Sequence, residues 1–485
     1  MSQITPYPNS VSAKEQQRAD YSRTRTSKSK ASKQQPQSQE TGDAATMVFS
    51  KLTPAQVKQV VAAFQEDMTF TDHRQQYKVE YSLPTLFFII VLGWLCGYRT
   101  ALGLATFVEK FRDDLMELFL DYDGAQISHD TFNRILSNCV VSDIEDFLMA
   151  FGRRLLEQYL STENKLIGVH ADGQVIRGAH GDTARICHVT LYCPAIGASV
   201  GQGIEGTKEN EQVALRRAFK KLDVTKCLVI TGDAMHTQIE TAKQLVESGY
   251  HFLFCVKKNQ KGLLTEVERL FSDGRYRHQN ASEEAECVSG RITEREASVI
   301  DGHKLDVHRI KRGSEWLPLI KTVIKIERYN EIKNIKTKVK YRCDGSLVEV
   351  KDSRPDASVE VAYYISSIPY YHPNVAHEIM SLIREHWSVE NKVHWWADYY
   401  LNQDRDLKIK NETLAANCVA LNRFVADVYE HEKRFIREHA VTSTQKQISR
   451  SMVMRTLTND LMASLTALAR YCYRHILEGA ENSHA

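Results

Sequence analysis

The stretch that decides the fold lies between residues 166 and 256. Its apolar runs are LIGVHADG (166–173), CHVTLYC (187–193), CLVITGDA (227–234) and HFLFCV (251–256). Short apolar runs bounded by polar or turn-forming residues are typical of buried strands. A further strand is predicted at residues 198–204, and helical patterns at residues 211–222 and 237–248 separate the later strands. This alternation predicts an α/β fold in which helices are layered on a sheet.

Two aspartates stand where strands of this region end. Asp172 directly follows LIGVHA, and Asp233 follows CLVI within three residues. Ligands of α/β sheets bind beyond the carboxyl ends of the strands, so both carboxylates are expected at one crevice. A single aspartate at such a place is more often a turn or cap residue. Two close carboxylates repel each other unless a cation lies between them, so the pair indicates a divalent metal site.

A third acid is expected from the segment REHWSVENKVHWWADYY, residues 384–400. His386, Glu390 and His394 are spaced by four and therefore share one face of a helix, which Asp398 continues. An amphipathic helix with a solvated polar face, or with one histidine in the core, would show the same pattern. Apolar contacts for docking this helix are expected from Trp387, Val389, Trp395 and Trp396.

The chain before this region divides by composition. Residues 1–48 hold eight Ser and seven Gln, and the excess of Lys and Arg over acids predicts a disordered basic tail. The tail is either a solvated arm or one that also touches nucleic-acid phosphates. Residues 49–158 predict a helical domain, with helix starts at Thr53-Pro54, Leu83-Pro84 and Ser128. The phrase ISHDTFNRIL, residues 127–136, resembles the second helix of a helix-turn-helix, although any capped surface helix looks similar.

Residues 278–360 lose the helical pattern and predict a β-rich insertion. Asp301-Gly302 is a hairpin signal, and Asp344-Gly345 is a second turn signal. From Lys321 to Arg342 there are eight Lys or Arg and two Glu, which suits either contact with a phosphate backbone or a solvated edge strand. A strand is predicted at residues 362–366, a long helix at about residues 374–396, and further helices through residues 431–485.

Composition excludes several classes of protein. The 485 residues carry a formal net charge of +2, so only local clusters of charge could bind a polyanion. The longest apolar run, residues 86–92, is too short to cross a bilayer, and no secretory signal is expected. The ten cysteines are scattered without a CxxC pair, which favours reduced thiols and a cytoplasmic protein over a disulfide framework or a zinc finger.

Several motifs resemble those of the DDE-type insertion-sequence transposases, in the branch that includes the H-repeat-associated proteins. In order they are KENEQ (208–212), TGDAMHTQ (231–238), KKNQ (257–260), YYISS (363–367) and HWSVENKVHW (386–395), preceded by DGQVIRG (172–178). The resemblance spans roughly residues 60 to 430. Gln174, Ala179 and Gln403 depart from the family pattern, which usually has Lys and Ser at the first two positions and an acid at the third.

The resemblance implies a ribonuclease-H-like core, residues 159–277 and 361–430, interrupted by the β-rich insertion. It implies that Asp172, Asp233 and Glu390 are the catalytic acids and hold two Mg²⁺ or Mn²⁺ ions. The histidines and amide around these ligands would be His386, Asn391 and His394. The candidates for DNA contact are Arg177, His236, Lys257, Lys258, Lys336, Lys338 and Lys340.

The implied activity is hydrolysis of phosphodiester bonds at the ends of a mobile element, followed by strand transfer of the 3′-hydroxyl into target DNA. The implied partners are double-stranded DNA and further copies of the chain, as a homodimer or larger assembly on DNA in the nucleoid, with no membrane. Because Gln174 removes a positive charge near the first acid, a catalytically impaired DNA-binding remnant is the alternative. A zinc hydrolase using His386 and His394 would require the helix between them to break, since they lie about two turns apart.

Overall fold

A computed structural model describes most of the chain after the tail. The described residues are 52–75, 77, 79–162, 165–176, 187–205, 211–223, 228–288, 291–332, 338–341, 347–350, 357–403 and 409–478. They all fall within one compact unit, Phe49–Ala485. The predicted basic tail, the turn at Asp344 and three singled-out residues, Arg177, Ala179 and Lys336, lie outside the described residues.

The N-terminal part is helical, as predicted. Its helices are α1 (Pro54–Asp67), α2 (Leu83–Leu95), α3 (Ala101–Lys110), α4 (Arg112–Leu118), α5 (His129–Asn138) and α6 (Val141–Thr162). The predicted N-caps are confirmed, because the hydroxyls of Thr53 and Ser128 accept hydrogen bonds from backbone N–H groups of the first turns of α1 and α5. Helix α2 is buried along nearly its whole length, which explains its apolar sequence without a membrane. Among the described residues, no helix is long and apolar enough to cross a membrane.

The centre of the molecule is a mixed sheet of nine strands. The strands are β1 (Ile167–Val175), β2 (Cys187–Cys193), β3 (Ala198–Glu205), β4 (Leu228–Gly232), β5 (His251–Val256), β6 (Gln279–Val288), β7 (Arg291–Asp301), β8 (Thr322–Ile332) and β11 (Ala357–Ser366). Their spatial order is β3-β2-β1-β4-β5-β11-β8-β7-β6. Strands β1, β4 and β5 are parallel neighbours, and the other pairings are antiparallel. The prediction of an α/β fold is therefore confirmed.

Helices cover both faces of this sheet. Helices α7 (Glu211–Lys220), α8 (Ile239–Glu247) and α9 (Lys261–Ser272) pack on the face formed by alternate residues such as Val169, Ile230 and Phe252. The short helix α10 (Gly313–Trp316) follows them in the chain. Helix α11 (Val375–Val389) packs on the opposite face, against Val229 and Leu253. Gly168 permits this approach, because a Cβ there would lie 2.9 Å from Leu382 of α11.

Most of the strands predicted as a β-rich insertion belong to the central sheet and do not form a separate one. Strands β6, β7 and β8 extend the central sheet beyond β11, while β9 (Lys338–Tyr341) and β10 (Leu347–Val350) pair only with each other. The hairpin predicted at Asp301-Gly302 is wrong. Asp301 ends β7 and caps a 3₁₀ turn by accepting a hydrogen bond from His303 N, and β8 begins only at Thr322.

The C-terminal part is again helical. After α11 come a π-helical turn (Glu390–His394), α12 (Trp395–Tyr400), α13 (Glu412–Glu438), α14 (Ser443–Lys446), α15 (Arg450–Leu457), α16 (Leu461–Cys472) and α17 (Arg474–Glu478). Helix α13 contacts the N-terminal helices, strand β3 and the C-terminal helices. Val389 and Trp396 are buried as expected, whereas Trp387 and Trp395 are more than half exposed, so only part of the predicted docking surface is confirmed.

Candidate active site

The alternation of side chains brings the two aspartates to the same face of the sheet. Ile167, Val169 and Ala171 of β1 pack under α7–α9, so Asp172 belongs to the face that α11 covers. Asp233 also belongs to the face that α11 covers, because Leu228 and Ile230 of β4 face α7–α9 and side chains alternate along the strand. The two strands pair in parallel with Ala171 opposite Gly232, so Asp172 and Asp233 are adjacent at the edge of the pairing. Asp172 was expected to follow its strand directly. It instead lies within β1, where it pairs with Thr190 of β2.

The helix face expected to carry the third acid faces these aspartates. His386 Nδ1 lies 2.7 Å from Thr231 Oγ1, and His394 Nε2 lies 3.4 Å from Asp172 Oδ2. Between the two histidines the helix widens into the π-helical turn that begins at Glu390. Such turns often occur at functional sites, where they re-aim side chains. The two histidines contact different acids, an arrangement that does not match a single zinc ion held by both.

Glu390 and Asn391 are both exposed at the start of this turn. Even so, the negative charge of Glu390 helps to raise the pKa of Asp172, so the two carboxylates are within electrostatic reach of each other. The structure therefore places Asp172 and Asp233 side by side, and places Glu390 at the exposed start of the π-helical turn.

Electrostatics separate the two aspartates. Burial raises the pKa of Asp172 to about 6, with further contributions from Asp233, Glu211 and Glu390 that outweigh the opposing effect of His386. The pKa of Asp233 is instead lowered to about 2, chiefly by His386, with help from Lys257. His386 Nε2 lies 3.7 Å from Asp233 Oδ1.

A hydrogen-bonded chain under the site fixes His386. The hydroxyl of Thr231 lies 2.7 Å from Nδ1 of His170 and 2.7 Å from Nδ1 of His386. A hydroxyl has one proton, so it donates to one of these rings and accepts from the other. His170 Nε2 in turn faces Glu385 Oε2 at 3.7 Å. The chain couples the tautomers of two rings, and it explains why a threonine precedes the second acid.

Gln174, which stands where the family usually has Lys, is part of a second chain. Its Nε2 donates to Asp398 Oδ2 at 2.7 Å, and its Oε1 lies 3.0 Å from His394 Nδ1. The substitution thus leaves no unpaired carboxylate at Asp398. The second departure, Gln403, is buried and its Oε1 accepts from Asn422 Nδ2 at 3.4 Å.

The motif KKNQ is tied to the motif around Asp233. Asn259 Nδ2 donates to Ala234 O at 2.6 Å, and Gln260 Nε2 donates to Thr237 O at 2.9 Å. These bonds hold the exposed Lys257 and Lys258 at the carboxyl end of β5, beside the edge that carries Asp233. The remaining candidates for DNA contact, Lys338 and Lys340, lie on β9 opposite Val350 and Val348 of β10.

Sequence reasoning missed Glu211. Its Oε1 lies 3.2 Å from Nε2 of His236, which is fully buried, and its charge raises the pKa of Asp172. A Cβ at Gly173 would lie 2.3 Å from Glu211, so glycine at this position permits the contact. The available signal was the motif KENEQ, in which Glu211 is the second acid. Because His236 is fully buried, it is no longer a candidate for DNA contact.

The residues present fit a divalent ion that arrives with further ligands. In the part of the chain that the structure describes, no three side chains of His, Cys, Asp or Glu are arranged to hold an ion by themselves. The excess negative charge around Asp172 nevertheless favours a cation. Nε2 of His394 is buried without a hydrogen bond and faces Asp172. Mg²⁺ is commonly held by one or two carboxylates together with substrate phosphates, and this site offers that number.

Comparisons with known proteins identify two domains. Residues 188–423 match the family described as Transposase DDE domain, and residues 68–152 match the family described as DDE_Tnp_1-associated. The first match includes Asp233 and Glu390 but begins after Asp172.

Related proteins carry transposase names. The H repeat-associated putative transposase YhhI of Escherichia coli K12 is 25% identical over 75% of this chain and 89% of its own length. The putative protein YbfL of the same strain has the same identity and coverage. The putative transposase YncI of Escherichia coli O157:H7 is 26% identical over 69% of this chain and 78% of its own length. With both domains present in order and these relatives matched over most of their length, the chain belongs to the DDE transposase family, near the H-repeat-associated proteins.

Proposed function

We propose that this transposase hydrolyses phosphodiester bonds at the ends of a mobile element and joins the freed 3′-hydroxyl to target DNA. The observation that carries the proposal is that Asp172 and Asp233 lie side by side where β1 and β4 pair, under the helix that carries Glu390. Two adjacent carboxylates on neighbouring parallel strands, with a third acid on the helix above them, suit divalent ions and a phosphate.

In this proposal different residues hold the metal ions, contact the phosphate backbone and support the sheet. Asp172, Asp233 and Glu390 would hold two Mg²⁺ or Mn²⁺ ions, which when bound supply an activated water and stabilise the leaving oxygen. Lys257 and Lys258 present exposed ammonium groups beside Asp233 and would contact the phosphate backbone. His386 lies next to Asp233 and is held there by Thr231. The buried Glu211–His236 pair supports the sheet beneath Asp172.

The same proposal covers the architecture and the partners. The half-sheet β3-β2-β1-β4-β5, with the acids at its centre, supports a ribonuclease-H-like core at residues 159–277 and 361–430. Residues 49–158, the insertion 278–360 and the helices 431–485 would surround it, with the N-terminal helices and the insertion contacting double-stranded DNA. We further propose that copies of the chain assemble on DNA as a dimer or larger complex, in the cytoplasm at the nucleoid.

The test is strand cleavage on the terminal DNA of the element, with Mg²⁺ or Mn²⁺ present. Asp172→Asn, Asp233→Asn and Glu390→Gln should each reduce cleavage by about 10³-fold or more, since each removes a charge used only with the metal and the reacting phosphate. DNA affinity should change little, because Lys and Arg set it. Glu438→Gln, at an exposed acid that ends α13, is the matched control and should cleave normally.

Two outcomes would contradict the proposal in different ways. Near-normal cleavage by Glu390→Gln would assign the third acid to Glu385 or Asp398. Absence of cleavage by the unaltered protein, with DNA binding intact, would favour the alternative of a catalytically impaired DNA-binding remnant.

A further inference from the structure

We propose that His394 is itself a metal ligand, and that its Nε2 and a carboxylate oxygen of Asp172 form a mixed nitrogen–oxygen site for a divalent cation such as Mn²⁺. The proposal rests on the proposed function only in assigning Asp172 to metal binding. It deepens that assignment, because a histidine ligand changes which ions the site prefers.

The first step is the orientation of the Gln174 amide. The Asp398 carboxylate lies 2.7 Å from Gln174 Nε2 and can only accept hydrogen bonds when ionised. An amide oxygen in this place would repel it, so Asp398 fixes the NH₂ group of Gln174 toward itself. The amide oxygen of Gln174 must then point the other way, toward His394.

The second step is the tautomer of His394. Gln174 Oε1 has no proton to give, so the ring nitrogen 3.0 Å from it, Nδ1, must be the donor. A histidine binds a metal ion in its neutral form, in which the ring carries one proton. With that proton on Nδ1, Nε2 presents a lone pair.

The third step is what this lone pair faces. Nε2 of His394 is buried, makes no hydrogen bond, and lies 3.4 Å from Asp172 Oδ2. Two electron-rich atoms at this distance repel each other unless a proton or a cation lies between them. Asp172 Oδ1 already accepts from Gly173 N at 3.0 Å, which leaves Oδ2 to complete the pair.

The separation of these two atoms suits a cation. An ion about 2.1–2.2 Å from both atoms would span 3.4 Å at an angle of roughly 100–110°, within the range of ordinary coordination geometries. The opposite tautomer could direct an Nε2 proton to Asp172, whose backbone oxygen is also close to the ring. It would, however, leave the Nδ1 lone pair against the oxygen of Gln174.

A nitrogen ligand also predicts selectivity. Imidazole favours Mn²⁺ and later transition ions over Mg²⁺, whereas carboxylates alone suit Mg²⁺. The remaining ligands would be water and the phosphate of the substrate, which agrees with the lack of a three-residue group among the described side chains.

The test uses the full-length protein and Mn²⁺ alone, without DNA, and measures pulsed EPR of the bound ion. We expect the signature of a directly coordinated ¹⁴N, and His394→Gln should abolish it and weaken Mn²⁺ binding by at least about tenfold. His377→Gln, at an exposed position in the first turn of α11, is the matched control and should keep the nitrogen signal, and His386→Gln tests whether the other imidazole near the acids is the ligand instead. The ratio of Mn²⁺ to Mg²⁺ affinity should fall in His394→Gln alone.

A second set of variants tests the positioning chain. Gln174→Lys removes the acceptor for Nδ1 and should weaken Mn²⁺ binding by about 10–100-fold. Gln174→Glu combined with Asp398→Asn keeps an acceptor toward Nδ1 and a donor behind it, with the same total charge, so it should restore binding and the nitrogen signal.

Several results would overturn the inference while leaving the transposase proposal intact. These are Mn²⁺ bound without a nitrogen signal, a signal lost in His386→Gln but kept in His394→Gln, or no saturable Mn²⁺ binding that depends on His394. Failure of the transposase proposal would instead be seen in DNA cleavage, which this experiment does not use. Circular dichroism of each variant would show that loss of the signal is not loss of the fold.

Discussion

Asp172 makes the metal-free protein sensitive to pH. Burial and Asp233 raise its pKa from the ordinary value of 3.8 to about 6, so the folded protein binds this proton more tightly than the unfolded chain does. Stability therefore falls as the pH rises from about 4 to 6, and it stays reduced above that window. Asp172→Asn should raise the free energy of unfolding at pH 8 by about 1–3 kcal/mol, and by little at pH 4.

Asp233 has the opposite effect on how the stability of the protein depends on pH. Its pKa is lowered to about 2, mainly by His386, so its stabilising contribution is present above about pH 4 and is lost as the pH falls toward 2. Asp233→Asn should therefore destabilise the protein slightly at pH 8, since Asp233 is half exposed. Urea unfolding in EDTA at pH 4 and pH 8 measures both effects. Equal destabilisation by the two substitutions at pH 8 would contradict this account.

At this scale the sequence predicted the acids but not their partners. Asp172 and Asp233 are recognisable because each stands beside a short apolar run, which is a local signal. The contact from Gln174 to Asp398 spans 224 positions, and that from Thr231 to His386 spans 155. Such pairs are set by the packing of α11 on the sheet, which no local pattern records.

Among the elements, the insertion carries a candidate DNA-binding segment, the basic run from Lys321 to Arg342. Two of its eight Lys or Arg are already engaged, since Lys325 pairs with Glu327 at 2.8 Å and Arg328 pairs with Glu360. In the sequence, five of the other six lie between residues 333 and 342, around β9. Lys338 and Lys340 stand two positions apart on that strand and so belong to one of its faces.

Replacing Lys336, Lys338 and Lys340 together by Gln should weaken binding to all DNA sequences alike. The dependence of log affinity on log salt should flatten by about 0.9 per lost phosphate contact. A control with the same change of charge replaces Lys304, Lys410 and Lys446, which are exposed outside this run. An unchanged slope in the first variant would identify the run as a solvated edge and leave DNA binding to the N-terminal helices.

Element boundaries show where local patterns suffice. Strands β2 and β5 have the predicted bounds, because each is a short segment buried along nearly its whole length on both faces. The hairpin at Asp301 was wrong because the Asp side chain caps a 3₁₀ turn instead. The π-helical turn at Glu390 was also not predicted, since the sequence continues a helical period through it and only tertiary contacts distinguish the two forms.

Across the whole molecule, α13 joins parts that the sequence suggested as separate domains. Asn422 Oδ1 accepts from Trp94 Nε1 of α2 at 3.1 Å, and Asn417 Nδ2 donates to Leu136 O at 2.8 Å. Asp427 accepts from the backbone of Ser199 in β3 at 3.0 Å, and Glu432 pairs with Arg470 of α16. The helical ends of the chain are thus attached to the edge of the sheet through one buried helix. We expect this attachment to contribute to the stability of the sheet itself.

The pair Arg423–Asp427 tests that expectation. Its two side chains are 3% and 0% exposed, and their closest atoms are 2.6 Å apart. Asp427→Ala would leave the Arg423 guanidinium buried without its carboxylate and the Ser199 N–H without an acceptor, so it should lower the free energy of unfolding by about 3–5 kcal/mol. Glu478→Ala breaks the exposed pair with Arg474 and should cost less than about 1 kcal/mol.

Adding Arg423→Met to Asp427→Leu removes the stranded charge, so this double variant should be more stable than Asp427→Leu alone. Urea unfolding of the four variants measures these differences, and equal effects of Asp427→Ala and Glu478→Ala would mean that Asp427, through Ser199 of β3, does not hold α13 to the sheet.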